Sequence, residues 1–469
     1  MNNDTDTATN WYSGISRYQW LVLAVASLGW AFDTFEGQIF VASMNEAMPE
    51  LAPKEVLSMS GDARQGYLAF YNNITFAAFL FGGALGGVVF GIVADRIGRV
   101  KTMIFTIAMY SGFTFISALS QEWWHMAIFR FLVAMGVGGE WAVASALVAE
   151  VFPIRARAWS LSIFHATSVL GSFLAVAAGA FIVAERNIAE SIPFLAGSGL
   201  SSWRIGFVLG ALPAILIIAI RLTLKSDSDT WQRARSQSRD GAGKGLGRLR
   251  DLFAQGLLPR TLVGVSLAAV GLATFWGAHI YGKDVLRQAV EADFIAAAAS
   301  GLTESQILDG SFREIKRWEM LGMLLATAGG GLGLVSFGPL SERMGRRGAF
   351  VAFHIGGLAA SLALFQALSD VSSLLVFLPV FGFLTLGMHA GYAVYFPELF
   401  PTRLRSTGAG FCFNVGRILA APILFCTGWM QKDLGLSLRD AASLLSLLFI
   451  LGAAMYWVMP ETKGQELPE

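Results

Sequence analysis

One charged phrase occurs twice in this chain of 469 residues. The first copy is Gly91-Ile-Val-Ala-Asp95-Arg96-Ile-Gly98-Arg99, and the second is Gly338-Pro-Leu-Ser-Glu342-Arg343-Met-Gly345-Arg346. A second phrase repeats with it: Glu150-Val-Phe152-Pro153-Ile-Arg155-Ala-Arg157, then Glu398-Leu-Phe400-Pro401-Thr-Arg403-Leu-Arg405. Asp95 and Glu342 are 247 positions apart, and Glu150 and Glu398 are 248 apart. Two unrelated phrases displaced by nearly one distance mark an internal duplication, so the fold must be built from two similar halves.

The setting of the phrases decides what the halves are. Only 14% of residues are charged and 55% are hydrophobic, with a mean hydropathy of +0.57, whereas a soluble domain carries about 25% charged residues. Apolar stretches recur that are each long enough, at about 20 residues, to cross a bilayer as a helix. Continuous apolar runs exclude a barrel, whose strands alternate in polarity. Expected spans are 17–43, 67–94, 101–120, 122–148, 157–184 and 202–224, then 258–283, 315–340, 347–368, 371–396, 404–430 and 436–459. The expected class is therefore an all-α membrane protein of twelve transmembrane helices in two pseudo-symmetric six-helix bundles. Duplicated halves in a membrane point to a transporter with its substrate site between them.

The domain reading follows: a tail at 1–16, a first bundle at 17–224, a linker at 225–257, a second bundle at 258–459 and a tail at 460–469. Basic residues gather in alternate connections: Arg96, Arg99 and Lys101; Arg155 and Arg157; the linker; Arg343, Arg346 and Arg347; Arg403 and Arg405. The positive-inside rule then puts both termini in the cytoplasm. The basic linker is expected to be flexible or to carry short surface helices, and to touch anionic lipid heads. The 284–313 connection is unusually long, and its Ala-rich part could lie as a helix over the outer face. Met1 to Ser16 lacks a secretory signal pattern, so the first apolar run is read as a retained span.

Several classes drop out. The net charge of +1 gives no reason to expect nucleic acid. The two cysteines, Cys412 and Cys426, are fourteen residues apart in one expected helix, roughly 21 Å of rise, beyond disulfide reach. No metal-ligand spacing, phosphate loop or nucleophile–base pairing stands out, so neither an enzyme nor a resident cofactor is expected.

At the repeated phrases the chain resembles a major facilitator superfamily transporter. Gly-x-x-x-Asp-Arg-x-Gly-Arg after the second span, copied after the eighth, is that superfamily's most specific motif. Arg130 followed by Met135-Gly136-Val-Gly138-Gly139-Glu140-Trp141 resembles its fourth-span motif, and Pro460-Glu461-Thr462-Lys463-Gly464 resembles the tail of sugar and metabolite porters. Asp33-Thr-Phe-Glu36 resembles the Asp-Gly-Phe-Asp phrase of proton-coupled organic-acid carriers, with Thr34 and Glu36 standing where that family often has Gly and Asp. The Gly-Gly-Glu-Trp phrase and Asn414-Val-Gly416 also resemble sialate, lactate and related carboxylate symporters. The resemblance implies alternating-access transport in the plasma (inner) membrane by a monomer, with a proton as coupling ion and a small organic anion as substrate.

Charges inside apolar spans are costly and functional by default. Asp33 lies roughly 24 Å along the first span and Arg130 roughly 12 Å down the fourth, at similar depth. Spans one and four line the cavity in the resembled superfamily. Asp33 is thus the expected proton-binding carboxylate, with Arg130 as its partner; a static pair orienting two helices is the alternative. Glu36 shares Asp33's face at i+3 and reads as a solvated rim residue or a second acid of the proton path. Glu140, deeper in the fourth span, serves either coupling or structural hydrogen bonding.

Arg417, near the middle of the eleventh span, needs an anion, and a substrate carboxylate suits its planar fork. A protein acid or helix carbonyls are the alternative. Asn414, one turn earlier, could orient the same group. His165, His279, Trp141 and Tyr392 are further candidates for the substrate site, against ordinary packing. Asp95, Arg96, Arg99, Glu150, Glu342, Arg343, Arg346 and Glu398 form an expected cytoplasmic gate. There the acids attract a helix N-terminus of the other half and the arginines hold the closed state. Two other functions stay open: a neutral sugar or polyol porter of the same fold, and a sensor that binds without moving cargo.

Overall fold

A computed structural model describes residues 10–58, 61–178, 188–193, 195–224, 227–239, 245–298 and 303–469. Most of the tail at 1–16, the end of the fifth expected span (179–184) and the linker's Lys225 and Lys244 lie outside the described residues. Among the described residues there is helix and no strand.

The chain begins with α1 (Arg17–Leu51), α2 (Lys54–Leu57), α3 (Gly61–Ile97), α4 (Arg99–Ser117) and α5 (Trp123–Val151). Then come α6 (Ile154–Ala166), α7 (Ser168–Ala178), α8 (Ser202–Gly210), α9 (Ala214–Thr223) and α10 (Asp229–Arg239). The second half holds α11 (Leu258–Gly277), α12 (Gly282–Ala297), α13 (Glu304–Gly310), α14 (Phe312–Leu362) and α15 (Val371–Leu386). It ends with α16 (His389–Leu399), α17 (Arg405–Ala420), α18 (Ile423–Leu434), α19 (Leu438–Ser446) and α20 (Leu448–Ala454). Helix thus occupies every one of the twelve expected spans. Among the described residues, nine helical runs are long and apolar enough to cross a membrane by length and composition alone.

Local chemistry sets the helix ends. Ser16 and Gln19 exchange side-chain bonds in a capping box that starts α1, satisfying backbone donors that the first turn leaves open. Asp370 caps α15 through Ser373 N–H at 2.9 Å. The expected loop between the eighth and ninth spans is instead a kink inside α14, where Gly345 takes a φ of 82°. Gly98, its counterpart in the first half, has a φ of 111° between α3 and α4. Both lie in the left-handed region that glycine enters without a side-chain penalty. The long connection after the seventh span is mostly helical, and α11 gives way to α12 at Ala278, whose φ and ψ are −133° and −56°.

The chain divides into two compact units. Unit 1 comprises 1–258, Phe396–Asn414 and Gly464–Glu469; unit 2 comprises Pro259–Tyr395 and Val415–Lys463. In unit 1, α3 packs closely on α5: a Cβ on Gly82, Gly86 or Gly138 would strike the backbone at Phe131, Met135 or Gly83. In unit 2, Gly329, Gly333 and Gly382 hold α14 against α15 in the same way. Small residues permit this approach where a bilayer supplies no hydrophobic drive between helices.

Candidate functional site

α1 turns two acids from one face into the interior of unit 1. Asp33 and Glu36, three residues apart, are 1% and 0% exposed. Arg130 of α5 forms its ion pair with Glu36. The expected Arg130–Asp33 pair is therefore not formed. Nor is Glu36 a solvated rim group, because α1 stays helical to Leu51, about four turns beyond it. Two groups of α4 complete the pair: Thr114 donates to Glu36 at 2.8 Å, and Ser117 accepts from Arg130 at 2.8 Å. The guanidinium lies 4.7 Å from the Phe207 ring centroid and 5.3 Å from that of Phe40, both within cation–π range.

Asp33 forms no ion pair, and neither of its oxygens meets a donor at hydrogen-bond geometry. Its polar neighbours are Glu140 of α5, Glu36 and the hydroxyl of Tyr110 on α4. Glu140 lies 2.5 Å from Thr106 Oγ1. Trp141, the next residue, donates its indole N–H to His165 Nδ1 at 3.1 Å and stacks on Phe413 at 4.4 Å. Since Nδ1 accepts, neutral His165 carries its proton on Nε2.

A second cluster in unit 1 gathers the repeated phrases. Asp95 accepts from Thr407 N–H at 2.8 Å, Thr407 Oγ1 at 2.6 Å and Ser406 N–H at 3.2 Å. It thereby caps the N-terminus of α17, where open donors and the helix dipole favour an anion. Gly91 makes room, since a Cβ there would meet the Ser406 carbonyl 2.6 Å away. Arg99 reaches Asp95 at 3.0 Å, Glu150 at 2.9 Å and the Thr402 carbonyl at 2.9 Å. Arg405 reaches Glu150 at 2.7 Å and the Pro468 carbonyl at 2.8 Å. Two acids and two arginines balance in a site where all four side chains are 0% exposed. Such burial is tolerable only with this degree of pairing.

The linker also belongs to this cluster. Ser228 donates to Glu150, Trp231 donates to the Asp95 carbonyl at 2.8 Å, and Asp251 pairs with Arg403 at 2.5 Å. Arg96 and Arg343 do not surround the acids as expected; both are exposed. At i+1 each points about 100° away from its acid, while the kinks at Gly98 and Gly345 turn the chain so that Arg99 and Arg346 come back onto Asp95 and Glu342.

The second copy is built differently. Glu342 is 23% exposed and pairs with Arg346 of its own run at 2.9 Å. Glu398 is buried. Each kink glycine faces an acid from a distant segment: a Cβ on Gly98 would collide with Asp227, and one on Gly345 with Glu461. Asp227 accepts from Val100 N–H at 2.8 Å; Glu461 accepts from Arg346 N–H at 2.9 Å and Arg347 N–H at 3.2 Å. Burial pushes the Asp227 carboxyl above its ordinary range against the pull of Val100 N–H and Arg99. Burial acts the same way on Glu461, but the N–H groups of Arg346, Lys463, Arg347 and Thr462 outweigh it and hold that carboxyl below the usual range. Asp227, Trp231, Asp251, Arg405 and Glu461 are not among the sequence candidates for the gate; the second repeated phrase ends on Arg405 and the Pro-Glu-Thr-Lys-Gly phrase holds Glu461, while no motif marks the other three.

In unit 2, Arg417 lies half-buried near the end of α17. The boundary between the units falls just before it, between Asn414 and Val415. Asn414, in unit 1, is buried, gives its amide N–H to the Gly410 carbonyl at 2.9 Å and keeps Oδ1 without a partner. Tyr392 is buried with its hydroxyl on the Leu267 carbonyl at 3.3 Å. His279 sits at the α11–α12 break, stacked on Phe275 and Phe381, with Nδ1 2.7 Å from Thr385 Oγ1. Thr385 gives its own proton to the Phe381 carbonyl, so His279 Nδ1 is the donor in that contact. Among the described residues no group of three or more His, Cys, Asp or Glu could hold a metal.

The Major Facilitator Superfamily model matches residues 65–424. The chain belongs to the Major Facilitator Superfamily. It is a multi-pass membrane transporter and not an enzyme. A probable 4-methylmuconolactone transporter of Cupriavidus pinatubonensis is 27% identical over 97% of this chain and 93% of its own length. The niacin transporter NiaP of Acinetobacter baylyi is 25% identical over 97% of this chain and 96% of its own. Among solved structures, the proton:xylose symporter XylE of E. coli matches with a TM-score of 0.69 at 16% identity, over 96% of this chain and 98% of that one. At that identity the likeness extends to the superfamily fold alone.

Proposed function

We propose that this transporter carries a small organic acid, monocarboxylate-like, together with protons, by alternating access. Asp33 binds the proton and Arg417 attracts the anion. The observation that carries the reading is Asp33 itself, a carboxyl group fully buried in α1, the first expected span, with no cation paired to it among the described residues and the Tyr110 hydroxyl beside it. A proton takes the place of the missing counter-charge, and an acid of this kind within a span is otherwise an unexplained cost. Arg130 does not serve Asp33; it holds Glu36. The relatives favour an acid, since niacin is a carboxylic acid. The cluster around Asp95 and Glu150 then acts as the cytoplasmic latch, both termini face the cytoplasm of a cell with an inner membrane, and Trp141, His165 and Asn414 of unit 1 serve substrate binding, as His279 and Tyr392 do in unit 2.

Arg417→Ala tests the anion half. Losing a charge-assisted bond removes about 1.5–3 kcal/mol, which weakens apparent affinity roughly 10- to 150-fold. The measurement is uptake of labelled nicotinate, benzoate, gallate, sialic acid and xylose by proteoliposomes at matched expression. The expected result is uptake of at least one acid, weakened on that scale in the variant. Unchanged affinity for that acid, or xylose uptake indifferent to Arg417, would contradict the reading.

A further inference from the structure

With Arg130 committed to Glu36, and apart from the acids gathered around the repeated phrases, unit 1 also encloses Asp33 and Glu140. Among the described residues neither forms an ion pair, and they are 1% and 0% exposed. Their surroundings form two rungs. On α1, Gly29 and Asp33 are one turn apart; on α4, Thr106 and Tyr110 are one turn apart. Gly136 of α5 packs on the Thr106 carbonyl and on Tyr110, where a Cβ would stand 2.8 Å and 3.0 Å away. Glu140, one turn further along α5, then reaches Thr106, and its Oε1 faces Gly29 at 3.1 Å from where a Cβ would stand. Tyr110 puts its hydroxyl beside Asp33 on the other rung.

The hydrogen bonds around Glu140 fit it with or without a proton. Thr106 Oγ1 lies 3.0 Å from the Met103 carbonyl and 2.5 Å from Glu140 Oε2. A hydroxyl has one hydrogen, and a carbonyl can only accept. When Thr106 donates to Met103, a protonated Glu140 donates to Thr106; when Glu140 is ionised, Thr106 turns its hydrogen to the carboxylate instead. The Asp33 carboxyl and Glu140 Oε1 are buried with no cation paired to them, where an ionised carboxylate is far costlier than a neutral acid.

We propose that Asp33 and Glu140 form one two-proton site, each carboxyl binding and releasing one proton and neither completing the transport cycle without the other, with Thr106 and Tyr110 as positioning residues. The role in transport rests on the proton-coupled reading above. The titratable and charged groups around the pair are few. Glu36 follows on α1 and is bound to Arg130 of α5, Tyr110 comes from α4, and His165 of α6 sits behind Trp30 and Trp141 with Nδ1 occupied. A monocarboxylate moving with two protons carries one net positive charge inward.

Infrared pH titration of the full-length protein in liposomes tests this without any substrate, through the C=O stretch of protonated carboxyl groups. Two buried carboxyl bands are expected to titrate. Glu140→Gln removes one and Asp33→Asn the other, while the double change Glu36→Gln with Arg130→Met, which leaves no charge unpaired, keeps both. Thr106→Val keeps both carboxyl groups in place and shifts the Glu140 band alone, which guards against misfolding of Glu140→Gln. A single titrating band, or a Glu140 band indifferent to pH, overturns the two-proton site. That result leaves one-proton coupling standing, whereas transport without proton movement would remove the coupling and leave the titration unchanged.

Discussion

Asp33→Asn is expected to abolish uphill accumulation of the acid while leaving exchange of labelled for unlabelled substrate intact. The amide matches the carboxyl in size, so α1 keeps its packing against Tyr110 and Glu140, but it can neither take up nor give off a proton. Accumulation needs the carrier to return empty after releasing its proton; exchange does not. Each proton carried down one pH unit supplies about 1.4 kcal/mol, or roughly tenfold accumulation, and the variant should lose that gain entirely. Proteoliposomes with an imposed pH gradient measure accumulation and counterflow in one preparation. Accumulation that survives in Asp33→Asn removes the proton from this residue.

Glu36→Gln should be among the most destabilising conservative changes in the protein. It leaves the Arg130 guanidinium, 0% exposed between Phe40 and Phe207, without its anion. Breaking a buried pair from one side costs about 3–5 kcal/mol, because the remaining charge stays desolvated. Arg130→Met should cost less, since Glu36 can be neutralised by a proton whereas arginine cannot lose one. Combining Glu36→Gln with Arg130→Met should recover much of the loss, leaving neither charge unpaired. Thermal unfolding of the purified variants gives the order. A Glu36→Gln protein within about 0.5 kcal/mol of the parent, the range of an ordinary surface change, would mean that Glu36 does not hold Arg130.

Spacing made some of these contacts legible and left others hidden. Arg96 follows Asp95 directly inside α3, so helix periodicity alone turns it away. Arg99 comes after the kink at Gly98, where that periodicity no longer applies; the repeated phrase put it near Asp95 without giving the contact. Asp33 and Glu36 share a face, so spacing cannot choose which of them meets Arg130. Depth was the arbiter, and depth measured from helix ends misleads when a helix outruns the bilayer: α1 has 35 residues, where about 20 suffice. The caps on the kinked helices were out of reach for a different reason. Asp227 meets Val100 across 127 positions and Glu461 meets Arg346 across 115, and no local pattern encodes such a pairing. The linker's composition announced a polar segment but not that Trp231 and Asp251 would bind the repeated phrases. The twelve helices themselves were legible because a bilayer selects for apolar length, and apolar length is a local property of the chain.

The most direct test of the account is the pH inside proteoliposomes, read with an entrapped indicator, when nicotinate, benzoate, gallate, sialic acid or xylose is added outside. Protein-dependent acidification by at least one acid, absent with Asp33→Asn and weakened with Arg417→Ala, is the expected result. Uptake of an acid with no change in lumenal pH, or acidification that persists without Asp33, would contradict it.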